Sequence, residues 1–384
     1  MEDWEWPSAP GAWYGYCSLS ARDWHKDSFP GRVFLRFSGF VRLLLLVALL
    51  LSGCRELPAD RLYALFLDQA PTAADWERAL PRLVTVKGGR RHVPELLPDI
   101  DADTVHATTA SCHHGGKLPD PLTVDLRAFH TEKELFLRLS WSDPTEDRDI
   151  RGWSFDGERW VNGGNAEDGF GIAWDGGGRF SPFTCAVACH IEDFGVHGDS
   201  FHASNRMKLA AEEAVLDLWN WKARRTGRFG FADDRTLSAK GMEGDVPGEI
   251  FQENSRARLA PERGLLPFAE GDAPIYDQDG VALGETFLSP GTTAPGFLTE
   301  HPAGSRADVR TVATWRDGRW TVILRRPLET GDPRDVRFVP GDALGVAFGL
   351  AIMDNTLFEH YASVLSERLV LLAPGAAERE DREQ

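Results

Sequence analysis

Between residues 122 and 141 apolar and polar positions alternate in two runs. Leu122-Thr-Val124-Asp-Leu126-Arg-Ala128 and Leu135-Phe-Leu137-Arg-Leu139-Ser-Trp141 both have period two, and the polar stretch His130–Glu134 lies between them. That pattern predicts a hairpin with one buried face. Asp168–Trp174 and Val215–Trp221 read as two further strands. The second sets Leu216, Leu218 and Asn220 on one face and Asp217, Trp219 and Trp221 on the other. Val309–Trp315 and Trp320–Leu324 flank Arg316-Asp317-Gly318-Arg319, an Asp-Gly hairpin turn. Val346–Ile352 and Leu369–Leu372 complete the set, and a helical turn or two is expected only around Ala73–Leu80. Strands at this spacing, without long amphipathic helices, predict an all-β fold: an antiparallel sandwich with long loops and few short helices. The Gly/Pro-rich stretch Glu270–Arg306 is expected to be an excursion from one domain, because strands continue beyond it.

Composition adds size and sign. In 384 residues, 42% hydrophobic content and 13 Trp can fill a large core, while 38 Gly and 23 Pro suit many short strands joined by turns. A net charge of −17 argues against nucleic acid as a partner. An acidic surface is compatible with docking a basic redox partner, and equally with plain solubility.

The N-terminal region predicts export. Arg32, Arg36 and Arg42 form a basic stretch ahead of Leu43–Leu51, an uninterrupted apolar run too short to span a bilayer. It ends in Leu51-Ser52-Gly53-Cys54, which resembles a bacterial lipobox, where the signal is cleaved before the Cys and its thiol is lipidated. The alternatives are a short membrane anchor or a signal peptide without lipid. Arg55 stands where an Asp would indicate inner-membrane retention, so the resemblance points to the outer membrane. The expected organisation is an over-long, disordered start at 1–30, a signal peptide at 31–53, a tether at 54–64, one domain at 65–373 and a disordered charged tail at 374–384.

The chemistry-bearing motif is Thr184-Cys185-Ala-Val-Ala-Cys189-His190. Two thiols followed at once by His can attach haem through thioethers while the imidazole takes the iron, although the usual spacing between the cysteines is two residues and here it is three. The same residues also admit a disulfide, from Cys185–Cys189 or with Cys112, or a zinc or copper site completed by His197 or His202. Cys112-His113-His114 lacks an upstream Cys for attachment and reads as a loop His pair. Ser363, Asp354 and His360 lie close in sequence, but no nucleophile elbow or Gly-rich phosphate loop accompanies them.

The surrounding segments carry a resemblance. Leu139-Ser-Trp141-Ser-Asp143-Pro144-Thr145, Glu167-Asp168-Gly-Phe170-Gly-Ile172-Ala-Trp174, Asp217-Leu-Trp219-Asn-Trp221-Lys222 and Gly230-Phe231-Ala232-Asp233-Asp234 follow one another in order. Gly304-Ser-Arg306-Ala-Asp308, Trp315-Arg-Asp317-Gly318-Arg-Trp320, Arg326-Pro-Leu328-Glu-Thr330-Gly331-Asp332 and Val346–Asp354 continue the succession. Together they resemble the haem-binding subunit family of ethylbenzene dehydrogenase and dimethylsulfide dehydrogenase over roughly residues 65–373. The resemblance implies a DOMON-like, immunoglobulin-like β-sandwich holding one haem. It also implies an electron-transfer protein rather than an enzyme, partnered by a molybdenum enzyme of the dimethyl-sulfoxide-reductase type or by another cytochrome.

Members of this family bind haem b through a Met and a Lys. Met207 stands in the region of the Met, and Glu359-His360-Tyr361 occupies the place of the Lys, so His360 replaces it. A branch of the family carries a Cys-rich motif, which Cys185, Cys189 and His190 fit. The implied site is c-type haem on Cys185 and Cys189 with His190 proximal and Met207 or His360 distal; b-type haem is the alternative. Lys222 is a further candidate ligand or propionate partner, though its alternation beside Trp221 predicts a solvated strand position. Trp219 and Trp221 are candidates to flank the haem, with core packing as the ordinary account.

A rival reading is a carbohydrate-binding sandwich in which Trp141, Trp160 and Trp221 stack on sugar rings and Cys185–Cys189 is a disulfide. The lipid reading has its own test. Cys54→Ala is expected to abolish incorporation of labelled palmitate and to release the chain from the membrane fraction, measured by metabolic labelling and fractionation.

Overall fold

The structure, a computed structural model, describes residues 57–87, 121–164, 166–177, 215–238, 240–257, 271–284, 288–355, 361–363 and 366–374. Eighteen strands occur among them. In chain order they are β1 (Leu62–Phe66), β2 (Arg82–Lys87), β3 (Leu122–His130), β4 (Glu134–Ser142), β5 (Trp153–Phe155) and β6 (Trp160–Asn162). Next come β7 (Gly169–Asp175), β8 (Val215–Lys222), β9 (Asp233–Ser238), β10 (Gly241–Gly244), β11 (Phe251–Glu253) and β12 (Thr293–Ala294). The last six are β13 (Phe297–Thr299), β14 (Arg310–Trp315), β15 (Arg319–Pro327), β16 (Val346–Met353), β17 (Tyr361–Ser363) and β18 (Glu367–Leu371). One α-helix is described, α1 (Ala73–Arg78). Thr72 caps it in a capping box with Asp75, satisfying two orphan donors of the first turn. No helix among the described residues is long and apolar enough to cross a membrane.

The fold is all-β. Eleven strands run in the hydrogen-bonded order β10-β9-β8-β7-β16-β17-β2-β3-β4-β15-β14, with β1 and β18 bridging β3 and β16 off that path. The sheet folds back on itself. Trp221 of β8 and Trp320 of β15 lie far apart in the strand order, yet their rings are 5.3 Å apart. Trp141 of β4 packs 6.3 Å from Trp320, and Phe170 of β7 stacks 5.5 Å from Trp221. Inward residues of β3, β4 and β15 therefore meet those of β7, β8 and β16 in one continuous core. The expected antiparallel pairing needs one correction, because β1 runs parallel to both β3 and β18.

The β14–β15 hairpin turns as its sequence predicts. Asp317 and Gly318 both have positive φ, 52° and 72°, the requirement of the two-residue turn that matches strand twist. The β3–β4 hairpin forms in the register Val124↔Trp141 and Leu126↔Leu139. Its expected single buried face is corrected: β4 is buried on both faces. The second face is covered by α1, whose Trp76 packs 5.2 Å from Phe129 with Phe136 in the same cluster, and Arg138 lies 5.5 Å from the Trp76 ring. His130 is buried in the end of β3 rather than in the turn, with Nε2 2.8 Å from the carbonyl of Leu372. Around the stretch 270–306, β12 pairs with β5 and β13 pairs with β11.

Trp141 is fully buried and contacts Phe170, Trp221 and Trp320. Trp141→Ala is expected to lower unfolding free energy by about 3–5 kcal/mol, read as a lower denaturant midpoint with unchanged slope.

Candidate functional site

β7 and β8 are antiparallel neighbours, with Trp174 opposite Asp217 and Gly169 opposite Lys222. The chain between Asp175 and Val215 therefore leaves and re-enters the sheet at one end of this strand pair. That stretch carries Cys185, Cys189, His190 and Met207, which lie outside the described residues. Tyr361, next in sequence to His360, pairs with Ile352, which pairs with Phe170 at the opposite end of β7. Seven strand residues separate the two ends, a span of about 20 Å. His360, Cys54 and Cys112-His113-His114 also lie outside the described residues.

The end of the core where β7 ends and β8 begins holds a buried ionic cluster. Along β15 the inward positions are Trp320, Val322, Leu324 and then Arg326, which is 0% exposed. Its Nη2 is 3.0 Å from Asp335 and 3.1 Å from Asp217, and its Nε is 3.6 Å from Asp234 and 3.7 Å from Asp308. Nη1 donates to the carbonyl of Val336, and the guanidinium lies 5.1 Å from the Trp219 ring. Burial, reinforced by neighbouring carboxylates, pushes Asp217, Asp234 and Asp245 above the usual carboxylate range. Although burial opposes the charge of Arg326, the surrounding carboxylates raise its pKa and keep it protonated. Trp219 belongs to this end of the core, packed 4.9 Å from Trp174 and 6.0 Å from Phe338. The indole N–H groups of Trp174 and Trp219 are buried without a hydrogen-bond acceptor among the described residues. Trp221 lies further along β8, enclosed by Phe170, Trp141 and Trp320.

Lys222 lies at the other end of β8, and the expectation of a solvated position is overturned. It is 8% exposed, because Phe251 of β11 covers the outer face of β8, with Nζ 5.1 Å from the ring centroid. Nζ is 3.9 Å from Asp233 and has no hydrogen-bond partner among the described residues. Burial lowers its pKa to about 7; attraction from Asp233 opposes this, and repulsion from Arg225 and Arg235 adds to it. Asp233 accepts a 2.7 Å hydrogen bond from Arg306, and Arg235 approaches within 3.5 Å. Burial opposes its charge, but Arg235, Lys222 and Arg306 together hold it below its ordinary value. Gly244 makes room for Arg306, since a Cβ there would fall 2.5 Å from the guanidinium carbon.

Neither ionic cluster was assigned a role from the sequence, although their residues stand in the segments that carry the family resemblance. The available signal was register: Arg326 continues the inward alternation of Trp320, Val322 and Leu324, so its charge had to be met inside the fold.

An all-β domain with buried ionic networks at its ends and a long Cys–His insertion is the class of protein these observations define. The chain belongs to the ethylbenzene dehydrogenase family, whose model matches residues 74–359 and which is associated with haem-binding subunits. Comparison with curated protein sequences finds no match. Among solved structures, a carbohydrate-binding module of family 9 from Caldicellulosiruptor kristjanssonii in complex with cellotriose shares 7% identity at a TM-score of 0.29, covering 82% of this chain and 96% of that one. A Bacteroides uniformis ATCC 8492 protein assigned as carbohydrate-binding shares 9% identity at a TM-score of 0.30, covering 80% and 88%.

Of the candidate haem ligands, Lys222 alone lies among the described residues; its buried amine has no hydrogen-bond partner there, and burial lowers its pKa, which favours the neutral form able to bind iron. The other candidates, Cys185, Cys189, His190, Met207 and His360, lie outside the described residues.

Lys222 binds its proton more weakly in the fold than its ordinary value of 10.5, so the fold gains stability as pH rises from about 7 to 10.5. Lys222→Met is expected to be stabilising at pH 6, where the buried charge is fully present. The advantage should shrink steadily towards pH 10, as followed by urea unfolding at several pH values.

Proposed function

We propose that this chain is a lipid-anchored, extracytoplasmic monohaem electron carrier acting with a redox enzyme. The observation that carries this reading is family membership across residues 74–359, combined with the occurrence of Cys185, Cys189, His190 and Met207 in one insertion between paired strands. Cys185 and Cys189 would hold the macrocycle by thioethers, and His190 would be the proximal ligand. Met207 is favoured as the distal ligand because it shares that insertion, whereas His360 adjoins a strand anchored at the opposite end of β7. The bound haem would supply reversible one-electron chemistry. The chain's part is to exclude water with the aromatic core and to present an acidic surface, net −17 overall, to a basic partner. A molybdenum enzyme of the dimethyl-sulfoxide-reductase type, or a multihaem cytochrome, is the proposed partner. Cys54 would keep the carrier within tether reach of one membrane surface, the outer membrane by the residue that follows it.

The carbohydrate-binding alternative loses two of its three platforms. Trp141 and Trp221 are 0% exposed within the core, so neither ring is open to a sugar, and only Trp160 is half-buried.

Protein made alongside a cytochrome c maturation system is expected to retain haem through denaturation and acid extraction, with a c-type pyridine haemochrome spectrum. Cys185→Ala with Cys189→Ala should release it. Met207→His should lower the reduction potential and remove the sulfur–iron charge-transfer band, while His360→Ala should leave both in place. Failure to retain haem covalently would overturn the c-type assignment, and loss of the band in His360→Ala alone would move the distal ligand there.

A further inference from the structure

A second acidic cluster lies at the end of the core opposite the Arg326 cluster. Asp143 follows β4, Asp168 precedes β7 and Asp354 follows β16, so three strand ends bring them together. One carboxylate oxygen from each lies within 4.8 Å of the others. Two oxygens bound to one calcium ion, at about 2.4 Å each, can be no more than about 4.8 Å apart, so the spacing fits a shared ion.

The bonding of these carboxylates is uneven. Asp168 is 0% exposed and is held by three donors: the amides of Asp147 and Asn355 and the indole N–H of Trp320, all at 2.9 Å. The backbone of Asp143 is fixed on both sides, its N–H donating to Gly318 and its carbonyl accepting from the Trp315 indole. Its Oδ1 accepts from the amide of Thr145 at 3.1 Å. Its Oδ2 is buried with no hydrogen-bond partner among the described residues, in a residue only 1% exposed. Asp354 is half-buried and opens the cluster to solvent.

Among the described residues, no ion pair reaches Asp143, Asp168 or Asp354, in contrast with the cluster at the other end, which encloses Arg326. An uncompensated buried carboxylate is unfavourable, so such a site takes up a proton or a cation. The donor set is oxygen only, which excludes the nitrogen and sulfur preferences of zinc or copper and matches a hard cation.

We propose that Asp143, Asp168 and Asp354 bind one calcium ion, with the bare Oδ2 of Asp143 as a ligand. The ion ties the ends of β4, β7 and β16 together across the two faces of the core, and Trp320 holds Asp168 in place for it. This assignment is independent of the haem reading, because its residues lie outside the Cys–His insertion.

The test uses the purified full chain, stripped with a chelator and re-equilibrated with calcium alone, in equilibrium dialysis with radioactive calcium and in thermal unfolding. One ion per chain and a calcium-dependent rise in Tm are expected, with magnesium giving a smaller rise. Asp143→Asn and Asp354→Asn should each weaken calcium binding about tenfold or more. The partly exposed Asp354 provides a variant that tests the site even if Asp143→Asn fails to fold. Asp335→Asn, in the Arg326 cluster, should bind calcium as the wild type does. The proposal is overturned if the wild type binds no calcium or shows no Tm rise, if Asp354→Asn binds undiminished, if magnesium acts equally, or if Asp335→Asn is the variant that loses binding.

Discussion

The packing of Trp320 against Trp141 and Trp221 is the contact on which the rest of the molecule depends. A thirteen-stranded sheet has no reason of its own to close, and its two arms meet only because large inward side chains can be buried by one another. Trp320 also donates its indole N–H to Asp168, so the same residue that joins the two faces fixes a carboxylate at the end of the core. Around it, Phe170 and Trp221 stack and Trp141 packs edge-on, a layer in which few substitutions keep volume and shape together.

The charged interior follows from that closure. With the core sealed by aromatic rings, polar residues at inward positions had to find partners inside or shift their protonation. Arg326 meets carboxylates from β8, β9 and the loops beyond β15, and Asp233 gathers Arg306, Arg235 and Lys222. Removing the shared central ion, Arg326 in the first set or Asp233 in the second, would leave the others buried and uncompensated, which makes these networks more exacting than a surface salt bridge.

Family membership places the chain among haem-associated subunits of redox enzymes, and the architecture suits such a role. The adjacent strands β7 and β8 are joined by a long connection, which carries the Cys–His motif. On the proposed reading, the haem-holding residues would be concentrated on a connection between strands, a common division of labour.

How much was legible in the sequence differs by element. The turn at Arg316-Asp317-Gly318-Arg319 and the strands around it were readable, because turn chemistry and period-two alternation are local properties. The Cys185, Cys189 and His190 motif is equally local, as is the apolar run ahead of Cys54. Strand β9 begins with Asp233-Asp234 and gave no apolar signal; it is a strand because Arg306 and Arg326 neutralise those carboxylates from distant parts of the chain. Lys222 read as solvated and β4 as buried on one face, since nothing local announces that Phe251 or Trp76 will cover them. Alternation, turns and the kinds of chemistry available are local properties and are written along the chain. Only the tertiary structure decided which charges face each other, because a partner 109 residues away, as Asp217 is from Arg326, is set by how the sheet closes and not by any neighbouring residue.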